Sequence, residues 1–139
     1  MNYKEAYAKA LRLLNVRFLS EGELRQKLRS RDVSEEIIDD VLSMLKKEHF
    51  IDDERLAADV YRYYARKGQY GHLYIVNKLR HRQLPVPEER EPLDEYRLAE
   101  QLVAKRFADT ETDSRKIARF LQNRGFSTSV IRDMMDRFA

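Results

Sequence analysis

The chain has no cysteine, which excludes disulfides, thiolate metal sites and cysteine nucleophiles and is compatible with a reducing compartment. Glycine and proline are scarce as well, four and three among 139 residues. With so few backbone breakers and 37% charged residues, the composition favours a helical protein with much exposed surface over one built on a single deep core. Long apolar runs are missing: Leu13-Leu14 and Ile37-Ile38 are typical of the longest, far short of the ~20 residues a membrane span requires. The opening stretch MNYKEAYAKALRLL scatters its charges, so no signal peptide is expected, and the protein is expected to be soluble and cytoplasmic, with no membrane association. There is no phosphate-cradling glycine loop and no nucleophile elbow, and His49, His72 and His81 lack metal-ligand spacing. A non-enzyme with no catalytic residue, no cofactor and no metal is therefore expected.

One further absence is local. From Tyr61 to Arg82 the chain contains no acid, although the net charge is only +3. The same stretch carries Arg62, Arg66, Lys67, Lys78, Arg80 and Arg82, two histidines, and four tyrosines after Tyr61. Such a segment attracts a polyanion or an acidic protein face, and its aromatics are suited to stacking or packing. The stretch from Ile51 to Leu84 reads as helix, glycine-marked turn and helix: Asp52 and Asp53 offer carboxylates to a helix start, Leu56, Ala57, Val60, Tyr61 and Tyr64 share one face, and Gly68 ends the helix. Leu73, Ile75, Val76 and Leu79 mark the second helix. Tyr61 and Tyr64 are expected in the core, and Tyr63 and Tyr70 stand between packing and recognition.

Internal repetition supplies the architecture. Aligning the second helix of each unit superposes Leu24, Ile75 and Ile117, then Leu28, Leu79 and Leu121, then Arg31, Arg82 and Arg124, then Val33, Leu84 and Phe126. Arg55 and Arg97 likewise precede matching apolar pairs, Leu56-Ala57 and Leu98-Ala99. The expectation is an all-α protein of about nine helices in three tandem three-helix repeats, 1–50, 51–93 and 94–139, stacked into an elongated, curved, solenoid-like array. Helix one is expected from about Asn2 to Phe18, with Tyr7, Ala10, Leu11, Leu14 and Phe18 on one stripe. Ser20-Glu21-Gly22-Glu23 reads as a capping box, and Ser34 as the cap of the next helix. Pro85, Pro87 and Pro92 should leave the third helix of the middle repeat short or broken, in an acidic link of Glu88, Glu89, Glu91, Asp94 and Glu95. The polar corner ADTETDS is expected to join the first two helices of the last repeat.

These residues resemble the RecX regulatory proteins over nearly the whole chain. The likeness is carried by Leu24-Arg25-Gln26-Lys27-Leu28, by Phe50-Ile51-Asp52-Asp53-Glu54-Arg55-Leu56-Ala57 leading to Arg66-Lys67-Gly68 and Tyr70-Gly71, and by Lys116-Ile117-Ala118-Arg119-Phe120-Leu121 with Arg124-Gly125-Phe126. The resemblance implies a bacterial regulator in DNA repair and the SOS response that binds the RecA recombinase filament on single-stranded DNA, lies in its groove, and restrains its ATPase and strand exchange. The chain departs from the family pattern where Gln69 follows Gly68, where His72 replaces a proline, and where Tyr74 and Val76 take positions often basic. That moves charge towards Arg80, His81 and Arg82 at the far end of the helix. Candidate RecA- or DNA-binding residues are Arg62, Arg66, Lys67, Tyr70, Lys78, Arg80 and Arg82, on a chain expected to be a monomer. Two other readings stay open: a direct DNA-binding helical module, and a helical-repeat adaptor for an acidic protein.

Overall fold

The computed structural model describes residues 1–108 and 113–138, and every regular element among them is a helix. In chain order these are α1 (Tyr3–Val16), α2 (Glu21–Arg29), α3 (Glu35–Lys47), α4 (Asp53–Arg66), α5 (His72–His81), α6 (Glu95–Arg106), α7 (Ser114–Asn123) and α8 (Thr128–Phe138). Among the described residues eight helices stand where about nine are expected. The difference lies after Leu84, where residues 82–94 contain no helix and the prolines withhold amide donors where a first turn would need to close. The polar corner 108–114 falls largely outside the described residues.

Helix starts follow local chemistry. Ser20 Oγ accepts the Glu23 amide at 3.0 Å while the Glu23 carboxylate accepts the Ser20 amide at 2.9 Å, the expected capping box. Asn2 and Glu5 form a second box that the sequence reading did not single out. Ser34 caps α3, and Asp52 caps α4 through the Arg55 amide at 3.1 Å. Asp94 and Asp113 cap α6 and α7.

The helices gather into two compact units. One contains Met1–Asp59 with Leu79–Pro87, and the other contains Val60–Lys78 with the chain from Glu88 onward. In the first, α1, α2 and α3 pack on one another around Leu24, Leu28, Ile38, Val41, Leu42 and Leu45. In the second, α8 packs on α6 and α7 around Val103, Ile117, Leu121, Phe126 and Met134. Helix α1 ends two residues earlier than expected, because Arg17 is fully extended, and Phe18 leaves the apolar stripe for solvent. Leu73 is also exposed, since the buried face of α5 is set by Ile75 and Leu79. No helix among the described residues is long and apolar enough to cross a membrane.

Each unit contains the same joint between a helix start and a helix end distant in sequence. In the first, Ser20 Oγ donates to the Arg82 carbonyl at 2.6 Å, and Arg82 Nη2 donates to the Phe18 carbonyl at 2.7 Å. In the second, the Gly71 amide donates to the Arg124 carbonyl at 2.7 Å, and Arg124 Nη1 donates to the Gln69 carbonyl at 3.2 Å. Ser20 and Gly71 are 51 residues apart, as are Phe18 and Gln69, so the repeat is written into the contact as well as into the helices. One acid from the following repeat closes each joint. Asp53 accepts the Glu21 amide at 2.9 Å, and Glu95, 42 residues later, accepts the His72 amide at 3.2 Å and the Ser127 amide at 3.0 Å. The position matching Ser127 is Pro85, which has no amide hydrogen, and the shorter aspartate serves there with a single bond.

Ser20 is fully buried and bonds on both sides, so its loss should exceed the cost of an ordinary cap. Ser20→Ala should destabilise the first unit by about 2 kcal/mol, the cap plus a buried carbonyl left without its donor, whereas Ser34→Ala should cost about 1 kcal/mol. Urea denaturation of the two variants side by side checks the order.

Candidate functional site

The acid-free stretch folds into a cluster of rings and ammonium groups within the second unit. Tyr63, Tyr64 and Lys67 come from the end of α4, Gly68 turns the chain with φ of 63°, and Tyr70, Tyr74 and Lys78 follow at intervals of four. That spacing places the last three on one face of α5 and the residues leading into it. Tyr70 and Tyr74 lie parallel, their centroids 3.9 Å apart and their planes 4° from coplanar. Tyr64 meets both edge-on at 6.1 and 6.0 Å, and Tyr63 meets Tyr64 at 5.1 Å and 82°. Lys67 Nζ stands 4.7 Å from the centre of the Tyr63 ring, and Lys78 Nζ 5.3 Å from that of Tyr74. Each ammonium is held by a ring face, a contact typically contributing ~0.5–1 kcal/mol at an exposed site. The Lys67 pKa is raised, first by its side-chain hydrogen bond with Tyr63.

Of the seven candidates, Lys67, Tyr70 and Lys78 are brought into this cluster. Arg62 and Arg66 lie exposed on the same α4 segment of the second unit. Arg80 and Arg82 belong to the other unit. Arg80 is exposed, but Arg82 is committed to the joint: besides the Phe18 carbonyl it holds the Glu23 carboxylate at 3.1 Å. The charge expected at the end of α5 therefore does not include that of Arg82, which is neutralised inside its own unit. Tyr64 is half-buried among rings, whereas Tyr61 is buried and bonds His72 Nδ1 at 2.8 Å. Tyr64 and Tyr74 also enter the cluster, although neither is among the seven candidates. The i, i+4 interval from Tyr70 through Tyr74 to Lys78 was the available signal for Tyr74.

Glu23 makes the joint sensitive to acid. Burial alone would raise its pKa, but the bonds from Arg82 and the Ser20 amide, with Arg17 nearby, outweigh burial and hold the carboxyl below its ordinary value. A folded-state pKa below the unfolded one contributes stability that is complete above the unfolded pKa and lost as pH falls through the folded one. Urea titrations from neutral pH to about pH 3 should show the first unit weakening, and Glu23→Gln should be weaker at neutral pH and show less of that acid loss.

Comparison with known proteins decides the family. The family description "RecX, first three-helix domain" matches residues 6–45, and "RecX, third three-helix domain" matches residues 94–135. The regulatory protein RecX of Pelodictyon phaeoclathratiforme is 34% identical over 134 residues, spanning 91% of this chain and 84% of that protein. This chain belongs to the RecX family. Regulatory protein RecX of Acinetobacter baylyi is 33% identical over 92% of this chain and 84% of its own length. Against RecX of Geobacillus thermodenitrificans the identity is 34%, over 74% of this chain, and the match spans 38% of that longer relative. The crystal structure of RecX from Lactobacillus salivarius shares the fold, with a TM-score of 0.77 at 23% identity, covering 98% of this chain and 96% of that one. A second crystal structure of a regulatory protein RecX matches with a TM-score of 0.75, covering 97% and 73%. The relatives that match are named regulatory proteins.

Proposed function

We propose that this protein binds the RecA filament on single-stranded DNA and restrains its ATPase and strand exchange, in DNA repair, with the tyrosine and lysine cluster of the second unit as its principal contact. The observation that carries the reading is that Lys67 and Lys78 are each seated on a tyrosine ring on a stretch free of acid. Cations fixed in this way lose less freedom on binding an acidic or phosphate-bearing face, and their summed charge speeds encounter. The chain acts as a monomer in this reading, with repeats 1–50, 51–93 and 94–139, the middle one reduced to two helices. Family membership supports a regulatory role, and the proposal adds the partner.

Co-sedimentation with RecA filaments on single-stranded DNA, with naked DNA as control, tests it. Retention on the filament well above retention on naked DNA is expected, together with slower ATP hydrolysis. Equal retention on both would favour the second reading, direct binding of single-stranded DNA, to which the exposed Tyr63 ring is suited as a stacking platform. In that case log affinity should fall with log salt by about 0.7 per phosphate contact.

A further inference from the structure

Tyr61 and His72 bracket the hairpin that carries Tyr63, Tyr64, Lys67 and Tyr70. Their side chains meet across it, with the Tyr61 hydroxyl 2.8 Å from His72 Nδ1 and the ring centroids 5.7 Å apart. We infer that this hydrogen bond is a latch that fixes α5 against α4, and that protonation of His72 releases it and loosens the tyrosine and lysine cluster in mild acid. Its consequence for RecA binding rests on the cluster being the filament contact.

The direction of the bond is set by its surroundings. Arg90 has donors only, so its side-chain hydrogen bond with Tyr61 uses the hydroxyl oxygen as acceptor. Tyr61 then gives its own hydrogen to His72 Nδ1, and the neutral imidazole carries its proton on Nε2. A second proton on Nδ1 would turn two donors against each other beside the buried Tyr61. A proline at this first helical position would suit α5 but offer no such bond. Histidine supplies an imidazole and an amide, and both are engaged, the first by Tyr61 and the second by Glu95.

Charge acts in the same sense. His72 is the first residue of α5, where the positive end of the helix dipole opposes an imidazolium, and Arg90 opposes it from the segment after α5. Glu95 of α6 favours it, and Glu88 shares with the pair the wall of an open cavity of about 350 Å³ that admits solvent to the imidazole. At the end of α7, Arg124 bonds the Gln69 carbonyl, three residues before His72. Burial and Arg90 outweigh Glu95 and hold the imidazole pKa below its ordinary value. The stability of the neutral pair is therefore complete above the unfolded pKa of about 6.5 and lost as pH falls through the folded one. Four members of the cluster lie between the latched residues, and Tyr74 and Lys78 follow on the helix that His72 begins. A change in how α5 starts against α4 alters the edge contacts of Tyr64 with Tyr70 and Tyr74.

Proton NMR of the full chain from neutral pH to about pH 5 tests the latch without RecA, following the His72 ring and the rings of Tyr63, Tyr64, Tyr70 and Tyr74. The tyrosine signals should move in step with His72, with a midpoint below about 6.5. In Tyr61→Phe, His72 should titrate nearer its ordinary value, and the cluster should resemble its acid form already at neutral pH. In His72→Gln, whose amide oxygen accepts from Tyr61 without titrating, the cluster should keep its neutral form throughout; this variant decides if Tyr61→Phe lowers the melting temperature. Filament affinity is compared as the ratio of His72→Gln to parent, which cancels RecA's own response to pH. That ratio should be near one at neutral pH and rise about fivefold at about pH 5. Tyrosine signals that move independently of His72 or titrate equally in His72→Gln would overturn the inference, as would a His72 midpoint that Tyr61→Phe leaves unchanged. If the rings follow His72 while the ratio stays near one, the latch stands and the cluster falls as the filament contact.

Discussion

Gly71→Ala should disrupt the second unit more than any other single methyl addition in the chain, together with Gly125→Ala. A Cβ at Gly71 would lie inside contact distance of the Gly125 carbonyl and 2.7 Å from Phe126 Cα, all backbone that no rotamer change relieves. A Cβ at Gly125 would strike the backbone of Tyr74, and the φ of 81° there is a conformation that residues with a side chain seldom adopt. The two glycines are each other's clearance: the Gly71 amide bonds the Arg124 carbonyl, and the Leu73 amide bonds the Gly125 carbonyl at 3.1 Å. Either substitution should cost at least about 3 kcal/mol, which in a unit of this size is a fall in melting temperature of about 12 °C or more. Gly68→Ala is the control. Its φ of 63° is unfavourable for alanine, but the nearest atom to an added Cβ is Leu98 Cδ2 at 3.8 Å, so the loss should be about 1 kcal/mol. Gly22 is intermediate in kind, because a Cβ there meets the flexible side chain of Gln83. Thermal melts of the four alanine variants give the ranking, and a Gly71→Ala protein that melts with its parent would show that the close approach is not what holds the joint.

Alanine at Arg66, Lys67 and Lys78 together should lower the affinity for RecA filaments by about a hundredfold, each desolvated or pre-positioned charge contributing about 1 kcal/mol. The fold should change little, since Arg66 and Lys67 are exposed and Lys78 only half-buried, and such charges contribute ~0–1 kcal/mol each to stability. Alanine at Arg12 and Arg17, both exposed on the first unit, should leave filament binding nearly unchanged. Arg82→Ala separates structure from recognition. It should lose stability of the first unit by leaving Glu23 and the Phe18 carbonyl unpartnered, so any loss of binding must be judged at temperatures where the variant is folded. High salt should reproduce the triple variant in the parent. If the triple variant, folded, inhibited RecA ATPase as strongly as the parent at moderate salt, the cluster would not be the contact surface.

What was legible in the sequence was local. The box at Ser20 and Glu23, the caps at Ser34 and Asp52, and the apolar stripes of α3 and α7 act between residues three or four apart, and that spacing is visible without coordinates. Aligned Arg31, Arg82 and Arg124 announced a repeat, but the jobs of the last two could not be read, since Arg82 bonds partners 59 and 64 residues away. Asp53 was read as a cap for its own helix, yet its carboxylate serves the start of α2, 32 residues earlier. Helical periodicity continues through Phe18 and puts it on the stripe of α1; the extended Arg17 breaks the period, and nothing in the local composition marks that break. For the cluster, the charges and rings were evident, but which of them meet depended on the turn that Gly68 allows between α4 and α5.

The joints bear on how such a chain changes over generations. The acceptor side of each, the backbone around Phe18 or Gln69, and the donor side, the arginine at the end of a later helix, lie at equivalent places in successive repeats. A duplication that copies one repeat in frame therefore inherits both halves of the fastening, and the lengthened protein needs no new invention to seat the added piece. Substitution is less free than insertion: a change at Glu95 touches two helix starts at once, through His72 and Ser127, so drift at that position must be answered elsewhere.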